Sequence, residues 1–232
     1  MAKRSFDDFD AYANDYRSIH SDNVKLSGAD SFYFAEHKVK QLMQYESNAA
    51  ARMLDVGCGD GAIELFIERL LPHWQVEGID ISEKSIARAK EKQLHKAHFS
   101  LYNGREIPFE DNSFDVVFIA AVLHHIDFSL HAGLLKEILR VLKPGGRLYL
   151  FEHNPLNPVT RYLVNTCAFD KDAKLLGYRY TRNILETAAF RQIEKRFILF
   201  FPRSGLFAKM VKLENKLAWL PLGGQYMYRA IK

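Results

Sequence analysis

The stretch Leu54-Asp55-Val56-Gly57-Cys58-Gly59-Asp60-Gly61 decides the fold. It completes a short apolar run that begins at Arg52, and it leads into AIELFIERLL (Ala62 to Leu71), an amphipathic segment stopped by Pro72. The pattern reads as a buried strand that ends in a glycine-rich turn and opens directly into a helix. Gly57 permits unusual φ there, and Gly59 lets the backbone approach a ligand without a Cβ in the way. The first turn of the following helix offers backbone N–H groups that no helical carbonyl can satisfy.

Working outward, strands and helices alternate. QVEGIDI (Gln75 to Ile81) reads as a strand, and Ser82 caps a helix running to about Leu94 with Ile86 and Ala89 inward. His98 to Tyr102 is a short strand, and FDVVFIAA (Phe114 to Ala121) is the most strongly patterned buried strand. Asp127 to Leu142 is a helix, Pro144-Gly145-Gly146 a stop and turn, and Arg147 to Glu152 a further strand. On the N-terminal side, Ser31 to Tyr45 is a helix, with Phe34, Val39, Leu42 and Met43 at helical spacing. After Glu152 the pattern loosens, and His153 to Gly177 shows no clear period. Thr181 caps a helix to Phe190, Gln192 to Phe201 and Gln225 to Ile231 are strands, and Gly205 to Trp219 is amphipathic. Such βαβα alternation predicts an α/β fold, a doubly wound and mostly parallel sheet with helices on both faces. Ligands of such sheets bind at the carboxyl ends of the strands, where strand order reverses.

Composition excludes several classes. The chain has 232 residues, 48% hydrophobic and 26% charged, so disordered and fibrous classes do not apply. Two cysteines, Cys58 and Cys167, make no disulfide framework and no zinc-finger spacing, and they suit a reducing, cytoplasmic setting. Met1 to Asp10 is charged and lacks the apolar core of a signal peptide, and no run is apolar enough to span a membrane. Charge is uneven: 16 basic and 22 acidic residues up to Leu142 give −6, while 16 basic and 6 acidic from Lys143 onward give +10. The basic part suits an anionic substrate or an acidic lipid surface as readily as a solvated face.

The glycine turn alone also fits a dinucleotide site, since Gly57, Gly59 and Ala62 match G-x-G-x-x-A. Asp80 ends the next strand 19 residues after Gly61, where a carboxylate can accept from both hydroxyls of an adenosine ribose. Asp55 separates the two readings. A carboxylate inside an apolar strand costs free energy unless paired, and a cationic ligand group would pair it. A pyrophosphate beside Asp55 and Asp60 would be repelled.

These residues together resemble the class I S-adenosylmethionine-dependent methyltransferases, of the small-molecule type that includes the ubiquinone and menaquinone biosynthesis enzymes. LDVGCGDG, GIDIS, NGREIPFEDNSFDVVFIAAVLHHI and LKPGGRLYLFE carry the resemblance in that order, across about Asp8 to Glu152. It implies a Rossmann-like sheet of about seven strands with the last antiparallel. It also implies a single domain over 1–232, with a helical lid in 1–47, a cofactor-binding core in 48–154, and a substrate-side, sheet-completing part in 155–232. The cofactor is then S-adenosylmethionine and the product S-adenosylhomocysteine.

The resemblance assigns roles position by position. The Gly57-Cys58-Gly59 turn and Asp55 would surround the methionine part, Asp80 the ribose, and Ile81 the adenine face. Asn103 and Gly104 would meet the adenine, with Asn103 where the family often carries Asp. Ala120 and Ala121 would leave room beside the sulfonium, and Tyr16, on an aromatic stretch with Phe9 and Tyr12, would cover the cofactor from the lid. Lys38 is placed to approach the cofactor carboxylate.

Three histidines are the candidate catalytic bases: His125 first, then His124, and His153 on the stiff loop after the fifth strand. They favour an acceptor hydroxyl, and so O-methylation before N or C. His124, His125, Asp127 and His131 match no zinc spacing, so no metal is expected. Arg161, Lys171, Lys174, Arg179 and Arg182, with Tyr162, Phe169, Tyr178 and Tyr180 interleaved, suggest a basic aromatic acceptor pocket. The acceptor expected is a small molecule, anionic or lipid-linked, with peripheral membrane contact through Phe197 to Tyr228 and no nucleic acid. The rival readings are an NAD-type oxidoreductase on the same fold and an inactive cofactor-binding module. The oligomeric state is not legible.

Overall fold

A computed structural model describes residues 30–167, 170, 172–202 and 205–232. The aromatic lid stretch with Phe9, Tyr12 and Tyr16 lies outside the described residues, as do Phe169, Lys171 and Arg203. In chain order the elements are α1 (Ser31–Leu42), β1 (Arg52–Val56), α2 (Ala62–Leu70), β2 (Gln75–Asp80), α3 (Glu83–Glu91), β3 (Ala97–Leu101) and β4 (Phe114–Ala120). Then come a 3-10 turn (Leu123–His125), α4 (Phe128–Val141), β5 (Leu142–His153), α5 (Pro158–Thr166), α6 (Tyr178–Thr187) and β6 (Arg191–Ile198). A 3-10 segment (Gly205–Leu213), α7 (Glu214–Leu217) and β7 (Gln225–Ile231) complete the chain.

The strands form one seven-stranded sheet in the order β3-β2-β1-β4-β5-β7-β6. Pairing is parallel from β3 through β5, and β7 runs antiparallel to both β5 and β6. This is the expected doubly wound sheet with an antiparallel last strand. The core fills both faces, with Leu54, Val117 and Leu148 on one side and Met53, Phe118 and Tyr149 on the other. Strands buried on both faces read as continuous apolar runs, which is why β4 was so legible.

The caps follow side-chain chemistry. Ser82 and Asp127 each accept a backbone N–H at the start of α3 and α4, as their positions predict. Thr181 does not cap α6, which starts three residues earlier behind Gly177. Its buried hydroxyl instead lies 2.7 Å from the Tyr226 hydroxyl on β7. The turn expected at Pro144–Gly146 is a register shift inside one long strand, β5, rather than its start. The amphipathic Gly205 to Trp219 stretch is not one α-helix but a 3-10 segment followed by four residues of α-helix. A helix missed from sequence, α5, is capped by Asn157 with Pro158 in its first turn.

Among the described residues no helix is long and apolar enough to cross a membrane.

One ionic tie fixes α1, which forms a wall of the site described below. Glu46, just past α1, accepts from Arg147 Nε at 2.9 Å, Arg147 Nη2 at 2.5 Å and the Tyr149 hydroxyl at 2.7 Å. Hydrogen bonds to a charged partner of this kind stabilise by about 1.5–3 kcal/mol. Glu46→Ala is expected to lower unfolding free energy by about 2 kcal/mol in urea titration.

Candidate functional site

The carboxyl ends of β1, β4 and β5 border a cavity of about 340 Å³. Its floor is Asp55, Gly57, Cys58, Gly59 and Asp60 from the turn after β1, and Ala120 and Ala121 from the end of β4. Lys38 and Phe34 of α1, Thr160 and Leu163 of α5, and Phe200 and Phe201 after β6 form the walls. His124, His125, His153 and Asp170 close one side.

The turn is sewn to the end of β2. Gly57 N and Cys58 N donate to Ile79 O, and Gly59 N donates to Asp80 Oδ2 at 2.9 Å. Asp80 Oδ1 accepts from Ser82 N, so this carboxylate orders both the turn and the start of α3. The two key glycines differ. Gly57 has φ +79°, and a Cβ there would lie 2.4 Å from Val122 Cγ2. Gly59 has φ +55°, and a Cβ there would meet nothing within 4 Å. Gly57 is therefore glycine for the fold, and Gly59 leaves open space at the cavity.

Asp80, Ile81, Asn103 and Gly104 are not among the residues bordering the cavity itself. They gather beside the turn: Asp80 through Gly59, and Ile81 against Gly104, where a Cβ would stand 3.2 Å from Ile81 Cγ2. Asn103 Oδ1 accepts from the Arg105 and Glu106 backbones, so that oxygen is already occupied in shaping its own loop.

The floor's charges are unusual. Burial, with Asp80 nearby, pushes the Asp55 carboxyl up to about 7. Glu64, buried next to it on α2, is likewise raised well above the carboxylate range by burial and by Asp55. Burial pulls the Lys38 ammonium down to about 8, although Glu152 and Asp55 favour its charge. Burial and the surrounding carboxylates raise the Cys58 thiol well above its ordinary value. Asp60 is paired with Lys92, at 3.2 Å, so among the floor carboxyls repulsion of an anionic ligand falls to Asp55.

The histidines separate into three environments. His124 is buried, its Nδ1 2.6 Å from Glu152 Oε2 and its Nε2 3.7 Å from Asp170 Oδ1. Burial would lower its pKa, but the two carboxylates outweigh that and push it up to about 9. A protonated ring cannot take a proton, so the reading of His124 as a base in this state fails. Burial, with His124 close by, pushes His153 down to about 3, which leaves a neutral and weakly basic ring. His125 lies at the cavity surface, with Nε2 3.4 Å from Asp170 Oδ1.

Asp170 carries no spacing signal in the sequence, and only the tertiary fold brings it to the histidines. Asp127 instead caps α4, and His131 bridges the Tyr180 hydroxyl and the Leu123 carbonyl. Of the expected basic aromatic pocket, Phe169 and Lys171 lie outside the described residues. Arg161, Lys174, Arg179 and Arg182 do not border the cavity, and Arg182 pairs with Glu186. Part of the cavity wall is apolar, with Phe34, Val159, Leu163, Val164, Leu199, Phe200 and Phe201.

Known proteins agree with this architecture. A family model described as "Methyltransferase domain" matches residues 54–150. A demethylmenaquinone methyltransferase of Staphylococcus haemolyticus is 36% identical over 151 residues, 62% of this chain and 62% of that protein. One from Staphylococcus aureus is 38% identical over 137 residues, 56% of each. The matched region thus spans about three fifths of the length of these relatives.

Among solved structures, an S-adenosylmethionine-dependent methyltransferase of Thermotoga maritima, described as a possible histamine N-methyltransferase, superposes with a TM-score of 0.71 at 18% identity. It covers 98% of this chain and 100% of its own. Phosphoethanolamine N-methyltransferase 2 of Haemonchus contortus, solved with phosphomonomethylethanolamine and S-adenosylhomocysteine, gives 0.68 at 20% identity, over 99% of this chain and 60% of that one. The fold is shared with these S-adenosylmethionine-dependent methyltransferases, and residues 54–150 match the methyltransferase family model. By sequence the chain is similar to the demethylmenaquinone methyltransferases.

The glycine pair gives a direct check. Gly57→Ala is expected to cost roughly 2–4 kcal/mol, from positive-φ strain plus the Val122 clash, as read by thermal unfolding. Gly59→Ala is expected to cost about 1 kcal/mol in stability yet weaken S-adenosylmethionine binding by about tenfold or more in calorimetry, because its methyl enters the cavity.

Proposed function

We propose that this protein transfers a methyl group from S-adenosylmethionine, by in-line displacement, to a hydroxylated aromatic acceptor of quinone type. The observation that carries the reading is the cavity itself: a carboxyl-bearing glycine floor on one side and an apolar wall with one histidine–carboxylate edge on the other. The floor fits the cofactor. Gly59 leaves open space, Asp55 suits a cationic group, and Lys38 suits a carboxylate. S-adenosylmethionine supplies an activated methyl when bound there. Asp80 is our assignment for the ribose, Ile81 with Asn103 and Gly104 for the adenine, Ala120 and Ala121 for the reacting end, and Tyr16 for the covering lid.

The acceptor occupies the apolar half. Phe34, Phe200 and Leu163 pack its ring, and the edge of His125, His124, His153 and Asp170 holds its oxygen as an anion. Displacement needs alignment above all, and a close-fitting apolar wall supplies it by restricting the ring. We favour transfer to oxygen, and the same anion also activates the ring carbon beside it. Val159 both borders the cavity and is exposed, with Leu156, Tyr162 and Leu222 exposed near it, which supports an acceptor with an apolar tail and a peripheral membrane approach. The two buried free thiols support a reducing, cytoplasmic setting. An NAD-type reading is disfavoured by the carboxyl of Asp55 at the floor, which opposes a pyrophosphate when ionised.

Calorimetric titration is expected to show binding of S-adenosylmethionine and not of NAD, and labelled cofactor with a cell extract should yield a labelled aromatic product. Fragmentation of that product separates transfer to oxygen from transfer to carbon. Absence of cofactor binding would overturn the assignment. A pH series adds a second check. Asp55 is neutral below about 7 and ionised above it, so cofactor affinity should rise as pH climbs through about 7. The cofactor-free protein should move the other way: a raised carboxyl contributes stability at low pH that is lost as pH rises to about 7. Asp55→Asn should flatten both trends.

A further inference from the structure

We propose that His124, His125 and Asp170 form a binding site for a zinc-class divalent cation, which holds the acceptor's oxygen. The inference rests on the methyltransferase reading only for the acceptor's role; the site itself stands on geometry.

One ligand atom from each residue lies close to the other two. His125 Nε2 and His124 Nε2 lie 3.4 and 3.7 Å from Asp170 Oδ1, and all three atoms fall within 4.8 Å of one another. Ligand atoms held about 2.0–2.2 Å from one ion at tetrahedral angles are separated by about 3.4 Å. Two imidazoles and one carboxylate are a donor set for zinc, iron or manganese rather than for calcium or magnesium.

The supporting shell has the form such sites need. A ligating histidine directs its other ring nitrogen to a carboxylate, which fixes the ring and the tautomer. His124 Nδ1 meets buried Glu152 at 2.6 Å, and the other Glu152 oxygen accepts from Leu123 N at 2.9 Å. The Asp170 segment is tied to the same place, because Lys174 N donates to the His124 carbonyl and Ala173 N donates to the Asp170 carbonyl. Charge also balances: Asp170 and Glu152 together match a dication.

All three ligands border the cavity, as Ala120 and Ala121 do. Three protein ligands leave coordination positions open, which is the arrangement of catalytic rather than structural sites. A cation here acts as a Lewis acid. The acceptor O–H bond breaks, its proton passes to water at the cavity mouth, and the oxygen remains as an anion against the cation. The methyl then bonds to that anion while the sulfur keeps the electron pair of the broken C–S bond. No oxidant or reductant takes part.

The test uses the full chain, stripped by chelator and titrated with Zn²⁺ by calorimetry and with Co²⁺ by visible absorption. One equivalent of Zn²⁺ and low-symmetry Co²⁺ bands are expected. His125→Gln and Asp170→Asn should remove them, while His98→Gln, at an exposed position of β3, keeps them. Glu152→Gln touches no cation but should weaken Zn²⁺ binding by about 10–100-fold. Circular dichroism verifies that each variant is folded. No Zn²⁺ binding by the wild type, or binding unchanged in folded His125→Gln, overturns the cation site, and the cluster is then a proton-holding one only. S-adenosylmethionine titration of the same samples separates the two ideas. Cofactor binding without Zn²⁺ binding overturns only the cation, whereas Zn²⁺ binding without cofactor binding overturns only the methyltransferase reading.

Discussion

The parallel pairing of β1 with both β2 and β4 is the constraint on which the rest depends. The chain leaves β1 toward β2 and β3 on one side, then returns to place β4 on the other. The loops after β1 and β4 therefore part at their carboxyl ends, and a crevice opens between them. Asp55 and the glycine turn come from one lip, and Ala120, Ala121 and the histidine pair from the other. Every candidate role in the site follows from that one divergence.

The fold was legible because its signals were local. The glycine turn, the Ser82 cap and the doubly buried β4 each depend on residues close in sequence. Misreadings arose where distant partners decided the outcome. Thr181 has the chemistry of a cap, but Tyr226 on β7 takes its hydroxyl. Helix α5 lacked an audible pattern because residues on it such as Val159 and Tyr162 are exposed while others line a cavity, so its apolar residues do not form one core stripe.

The site was half legible by the same logic. Its floor is a contiguous motif, and its far wall is not. The histidine pair was visible, but what distinguishes the two rings is Glu152 on β5 and Asp170 beyond α5, neither near them in sequence. Charge along the chain did not map onto the described cavity wall. Arg161, Lys174, Arg179 and Arg182 do not border the cavity, and Arg182 pairs with Glu186 instead.

Cys58 shows a further consequence of the floor's chemistry. It sits between two glycines at a turn that borders the cavity, yet its thiol is buried and kept protonated by that burial and by surrounding carboxyls. Peroxides and alkylating agents react with the thiolate, so a thiol kept in its protonated form is chemically quiet. The burial that closes the turn, and after it the neighbouring carboxyls, thus favour the unreactive protonated thiol at a turn that faces the cavity.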